Sequence, residues 1–166
     1  LGLELDLLFL DDHSPDGTGA LLDEIAASDQ RVKVIHRSGK LGIGSAHAEG
    51  IDWAYERGYQ CLVTMDCDFT HSPSDIPKLL EEAKSCDAVV GSRYLQKGSL
   101  PGWSLCRRFI THFGHIVTRF LLHIPFDASG AFRVYNLTRI PQELFACVTS
   151  KGYGFFPESL FFLGGN

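Results

Sequence analysis

The sequence predicts an α/β fold built on a mainly parallel central sheet. Three observations carry that prediction. Short apolar, β-branched runs at residues 5–10, 32–36, 61–65 and 88–91 alternate with segments of helical spacing. Strand–helix alternation of this kind is the signature of a sheet whose parallel strands are joined by crossover helices. Two acidic clusters, Asp11-Asp12 and Asp66-Cys67-Asp68, stand at the carboxyl ends of such runs, where sheets of this class bind ligands.

Each element has its own sequence reason. Residues 5–10 are a buried-strand run that opens at Asp11-Asp12 into turn chemistry, Ser14-Pro15-Asp16-Gly17. Thr18 is placed to cap a helix through about Ala27. Residues 32–36 alternate as a strand. Gly39, Gly42 and Gly44 then punctuate a loop before a helix over 46–57, which Gly58 ends. After the strand at 61–65, Ser72-Pro73 starts a helix to about Cys86 with Ile76, Leu79, Leu80 and Ala83 as its apolar stripe. Residues 103–123 read as a long helix, 132–135 as a further strand, and 158–163 as the start of a last helix.

Composition narrows the function. At 166 residues, 45% hydrophobic and 21% charged, the chain is one globular domain with a substantial core. The five cysteines form no CxxC pair and are odd in number, which favours free thiols over a disulfide or metal framework. Net charge is −5, yet residues 88–126 contain no Asp or Glu and hold Arg93, Lys97, Arg107, Arg108 and Arg119. A basic patch on an acidic protein suits a localised anionic partner. Nucleic acid fits poorly, because the rest of the surface would repel it.

The residues that could carry chemistry follow from these positions. Asp66 and Asp68 are two apart in extended chain, so both carboxylates can face one hard divalent cation such as Mg²⁺ or Mn²⁺. Asp11 and Asp12 serve either as turn formers or as acceptors for a nucleobase or ribose. Lys40-Leu41-Gly42-Ile43-Gly44 offers a cation and flexible backbone before a helix N-terminus, a possible neighbour of phosphate, although it matches no standard phosphate loop. Arg93, after the strand at 88–91, is either a surface residue or a diphosphate contact. The 103–123 helix is either a core helix with a basic outer face or an interfacial helix touching membrane and lipid phosphate.

Taken together, the motifs resemble a known family. Asp11-Asp12-His13-Ser14-Pro15-Asp16-Gly17-Thr18 is similar to DDGSPDGT, and Lys40 to Gly44 to KLGLG. Met65 to Pro73 resembles MDADLSHxP, and Gly91-Ser92-Arg93-Tyr94 resembles GSRY. Gly102 to Arg108 resembles GWxLxRR, and 127–135 resembles D-x-T-S-G-F-R-x-Y. These are motifs of inverting family 2 glycosyltransferases, in particular the polyprenol-phosphate (dolichol-phosphate) mannosyltransferases. The resemblance implies a glycosyltransferase A-type nucleotide-binding fold. It implies transfer of a hexose, mannose from GDP-mannose, to a polyprenyl phosphate, on the cytoplasmic face of a membrane to which the protein binds peripherally.

By the same resemblance Leu10 and Asp12 contact the base, with Asp11 beside them. Asp66, Asp68 and Thr70 serve the metal, Cys67 lies alongside, and Arg93 meets the donor phosphates. Arg107 and Arg108 are the implied contacts to the acceptor phosphate. Relative to the family pattern the sequence is expected to lack a preceding base-holding strand and a following donor-contacting segment. His13 and Ala131 replace family glycines. The alternatives are transfer of glucose or an aminosugar from a UDP donor, an inactive fragment of such an enzyme, and a phosphorelay receiver domain. The last shares the early acidic pair but lacks the D-x-D, the GSRY motif and the basic helix.

Overall fold

A computed structural model describes residues 4–91, 127–128 and 130–164. Its elements run β1 (Leu7–Asp11), α1 (Thr18–Ser28), β2 (Val32–His36), α2 (Ile43–Glu56) and β3 (Cys61–Thr64). A 3₁₀ turn (Pro73–Asp75) then leads into α3 (Ile76–Glu82). After these come β4 (Ala88–Val90), β5 (Arg133–Asn136), α4 (Gln142–Ala146) and α5 (Phe155–Gly164). The 103–123 helix, with Arg93, Arg107 and Arg108, lies outside the described residues.

The strands form two sheets. β1 and β2 pair in parallel, with Asp11 opposite His36. β3, β5 and β4 form the second sheet in that order, and β5 runs antiparallel to both neighbours. The mainly parallel sheet is therefore seen only in the β1–β2 pair. β3 and β4 do point the same way, but β5 comes between them. An antiparallel strand reads like any other buried strand in sequence, because direction leaves no trace in residue type.

α2 packs against both β1 and β3 and so bridges the sheets. It begins at Ile43, three residues earlier than the spacing predicts, because Gly44 can sit under the 150–155 segment. A Cβ on Gly44 would meet Phe155 Cβ at 2.6 Å and Ser150 O at 2.6 Å. The core lies between α2, β5, α4 and α5: Ile51, Ala54, Tyr135, Phe145, Phe155 and Phe156 are all buried there.

Arg133 is also fully buried in this core. Its guanidinium donates to the carbonyls of Gly130 (2.8 Å) and Ala128 (3.1 Å) and to Ser159 Oγ (2.9 Å) and Tyr135 Oη (3.2 Å), and it lies over the Phe156 ring. Such multiple bonding is what makes a buried cation tolerable. His47 packs against Phe155 and Phe156. Burial, helped by the Arg133 charge, pushes its imidazole down to about 4.

Thr18 is the first residue of α1 and not its cap. Gly17 holds that position with φ 88°, and Thr18 instead donates its N–H and O–H to Asp16 Oδ1. The left-handed backbone at Gly17 is one a side chain would resist. α3 stops at Glu82, short of the predicted Cys86. α4 has no forerunner in the sequence reading, since five residues are too few to establish a period. Cys61, Cys67, Cys86 and Cys147 are free thiols, as expected.

Candidate functional site

Two acidic strand exits make up the candidate site, and they are built differently. At the first, β1 delivers Asp11 and Asp12 directly opposite His36 and Arg37 of the neighbouring strand end. Asp11 is buried. Its Oδ1 accepts the Ser14 N–H at 3.2 Å, and its Oδ2 lies 3.5 Å from His36 Nδ1. These contacts, the Ser14 bonds foremost, hold its carboxyl below the usual carboxylate range despite partial burial. His36 also reaches Asp23 on α1 through Nε2 at 2.8 Å, and this bond, more than that to Asp11, raises its imidazole above the ordinary value.

Asp12 is held by Arg37. Nη1 donates to Asp12 Oδ1 at 2.7 Å, Nη2 donates to Ser45 Oγ at the start of α2, and Nε lies 3.0 Å from Glu49 Oε2. The Nε–Glu49 contact is an ion pair whose geometry is too bent for a hydrogen bond. The Arg37 side chain is 2% exposed while that of Asp12 is 28% exposed, so the carboxylate remains open to a ligand while its cation is sealed in. Ser45 Oγ in turn lies 2.7 Å from Gly42 O and 3.0 Å from Leu41 O. The 40–42 loop, which runs into α2 at Ile43, is thereby tied through Arg37 to the Asp12 carboxylate. Lys40 itself is exposed. Leu10 packs toward α2, with Cδ1 3.6 Å from where a Cβ on Gly50 would stand.

The second exit follows β3. Asp66 is half-buried, and Cys67, Asp68, Phe69 and Thr70 are exposed. Asp68 Oδ1 accepts both the N–H (3.1 Å) and the O–H (2.5 Å) of Thr70, which lowers its pKa. That Asx turn puts Phe69 at φ 64°, an unfavourable region for a bulky residue, with its ring fully in solvent. The Asp66 N–H donates to His71 Nδ1 at 3.1 Å, and the His71 ring stacks on Phe132 at 5.0 Å. Although Cys67 is exposed, local desolvation first and the Asp66 and Asp68 charges second push its thiol up.

Among the described residues no three His, Cys, Asp or Glu side chains converge on a point where they could hold an ion by themselves. Two adjacent carboxylates suit a hard divalent cation that takes its remaining oxygens from water and a bound diphosphate. Asp66 and Asp68, with the Thr70 hydroxyl bonded to Asp68, are of that type. No hydrogen bond or ion pair among the described residues links this turn to the Asp12 network.

Comparison with known sequences decides the family. A model of the family described as "Glycosyl transferase family 2" matches residues 2–142. The chain belongs to glycosyl transferase family 2. The match spans both acidic exits and most of the fold. An undecaprenyl-phosphate mannosyltransferase of Micrococcus luteus is 39% identical over 159 residues, 95% of this chain and 65% of the relative. A polyprenol monophosphomannose synthase of Mycolicibacterium smegmatis is 39% identical over 155 residues, 92% of this chain and 58% of the relative. The chain thus spans about three fifths of the length of these curated relatives. Membership in family 2 carries the glycosyltransferase A-type fold with it, and the α/β architecture agrees.

Arg37, Glu49 and His71 are the site residues that sequence reasoning missed. One signal was available for Arg37: it directly follows a strand run, at the level of the acidic pair on the strand before it. Of the two family glycines replaced here, His13 does occupy the left-handed region, φ 60°, whereas Ala131 does not.

Proposed function

We propose that this chain is the catalytic part of a hexosyltransferase that moves mannose from GDP-mannose to a polyprenyl phosphate with inversion at the anomeric carbon. The observation that carries the reading is the family match across residues 2–142, together with paired carboxylates at the β3 exit. The 39% identity to two proteins named for mannosyl transfer to polyprenyl carriers supports the sugar and the acceptor class.

In this reading the network at the β1 exit receives the donor's nucleoside, with Asp12 accepting hydrogen bonds from base N–H groups. Asp66 and Asp68, with Thr70 nearby, would hold a Mg²⁺ or Mn²⁺ ion that takes its remaining ligands from water and the donor. When bound, such an ion neutralises charge that builds on the leaving group. The acceptor phosphate is already anionic near neutral pH, so it needs alignment more than a strong general base. Its oxygen forms the new bond to the anomeric carbon as the bond to the diphosphate oxygen breaks, and GDP departs. Arg93 is assigned to the donor phosphates, and Arg107 and Arg108 to the acceptor phosphate.

The acid-free basic stretch at 88–126 supports peripheral contact with an anionic membrane surface at the cytoplasmic face. Among the described residues no helix is long and apolar enough to cross a membrane.

The test is transfer of radiolabel from GDP-mannose, with UDP-glucose in parallel, to undecaprenyl phosphate in the presence of Mn²⁺. Label in the organic phase from GDP-mannose alone is the expected result. Transfer only from UDP-glucose would overturn the donor assignment, and transfer from neither would overturn the enzymatic reading of this chain.

A further inference from the structure

The Arg37 guanidinium has a role that the family match does not assign. It is sealed inside the protein, yet it reaches three side chains on two elements: Asp12 at the end of β1, and Ser45 and Glu49 on successive turns of α2. Through Ser45 it also reaches the loop at 40–42, because the same hydroxyl contacts the carbonyls of Leu41 and Gly42. A planar fork with five N–H donors can span such partners at fixed angles, and a lysine ammonium cannot. The arrangement is asymmetric. The cation is 2% exposed, while the carboxylate it orients is 28% exposed. A bond whose only purpose was stability would gain by covering both partners. Here one partner is left facing outward, with one oxygen, Oδ1, fixed by Arg37.

We propose that Arg37 is a positioning residue for the nucleotide-sugar donor. It orients the Asp12 carboxylate toward the nucleobase and locks the 40–42 loop to it, so that the nucleoside-facing and phosphate-facing edges of the donor site form one rigid unit. This rests on the reading of the chain as a nucleotide-sugar transferase. Rigid preorganisation of this kind raises affinity by removing the ordering cost from binding. Arg37 acts through Asp12 and Ser45 and touches no donor atom itself.

The experiment is calorimetric titration of GDP-mannose with Mn²⁺ into the wild-type chain and the variants Arg37→Lys, Ser45→Ala, Asp12→Asn and the double variant Asp12→Asn with Arg37→Lys. Thermal melts run alongside. Arg37→Lys should weaken donor binding about tenfold, the loss of one charge-assisted hydrogen bond. Ser45→Ala should weaken it in the same direction. In the Asp12→Asn background Arg37→Lys should cost clearly less than it does alone, because only the route through Ser45 is left to lose. Donor affinity unchanged in Arg37→Lys overturns the proposal. So does an effect fully additive with Asp12→Asn, which would mark Arg37 as a general stabiliser. If Arg37→Lys fails to fold, Ser45→Ala, which removes one link without stranding a charge, decides the matter: unchanged affinity there also overturns it. Absence of donor binding by the wild-type chain overturns the reading of the whole site and this proposal with it, and is separable from the other outcomes because it needs no variant.

Discussion

The β1 exit and the β3 exit each present two acidic residues, but one is woven into the fold and the other is not. At β1, Asp11 and Asp12 are engaged by His36 and Arg37 from the adjacent strand end, and through them by α1 and α2. At β3, the hydrogen bonds to the Asp68 carboxylate among the described residues come from Thr70, two residues on, and the turn around it is exposed. The difference follows from what surrounds each carboxylate. Charges brought in from other elements make a shape that exists before any ligand arrives. Local hydrogen bonds within a turn leave the shape to be completed by the ligand. A base-binding edge suits the first construction, and an ion shared with a departing diphosphate suits the second.

The comparison can be broken most severely at Arg37. Arg37→Met removes a buried cation and its bonds to Asp12 and Ser45, and because the carboxylates left behind are partly solvated it should cost roughly 2–3 kcal/mol of stability. Thr70→Val at the other exit should cost no more than about 1 kcal/mol. Urea denaturation of the two variants measures the contrast, and similar losses would show that the exits are not built differently.

α2, which bridges the sheets beneath both exits, brings a pH dependence. His47 titrates at about 4 in the folded chain, against an ordinary value of 6.5. The unfolded chain therefore binds the proton first as pH falls. Stability is complete above about 6.5, drops with falling pH by up to ~1.4 kcal/mol per pH unit, and levels off below about 4. In His47→Phe this part of the slope should vanish, as read from denaturation midpoints at pH 4.5 and 7.

Overpacking sharpens the contrast further. Gly44→Ala places a methyl against Phe155 and the Ser150 carbonyl and should cost about 1–3 kcal/mol. The smallest effect is expected at the β3 exit. Phe69→Asn replaces a left-handed, fully exposed phenylalanine with a residue at ease in that conformation, and should raise stability by up to about 1 kcal/mol. Calorimetric melts resolve both.

Much of this was legible in the sequence, for reasons that also mark where reading stopped. Val32–His36 is a strand with both ends where alternation and flanking polar residues put them. The two acidic exits were legible because Asp after a buried apolar run stands out. The antiparallel course of β5 was not, since its pairing partners lie more than forty residues away along the chain. The Arg37 network was equally hidden: its partners Asp12 and Glu49 are 25 and 12 residues distant, and only the parallel register of β1 with β2 brings them to one guanidinium. Burial of Arg133 ran against residue type, because an arginine in a strand reads as an outward position until its acceptors are in place.

We propose that the half-buried Asp66 and the exposed Asp68 at the β3 exit take a metal ion together with the donor diphosphate. It is tested most directly by titrating GDP-mannose into the wild-type chain and into Asp68→Asn, with and without Mn²⁺. The account predicts that Mn²⁺ strengthens donor binding to the wild type at least about tenfold and has little effect on Asp68→Asn. Equal donor affinity with and without the ion in both proteins would contradict it.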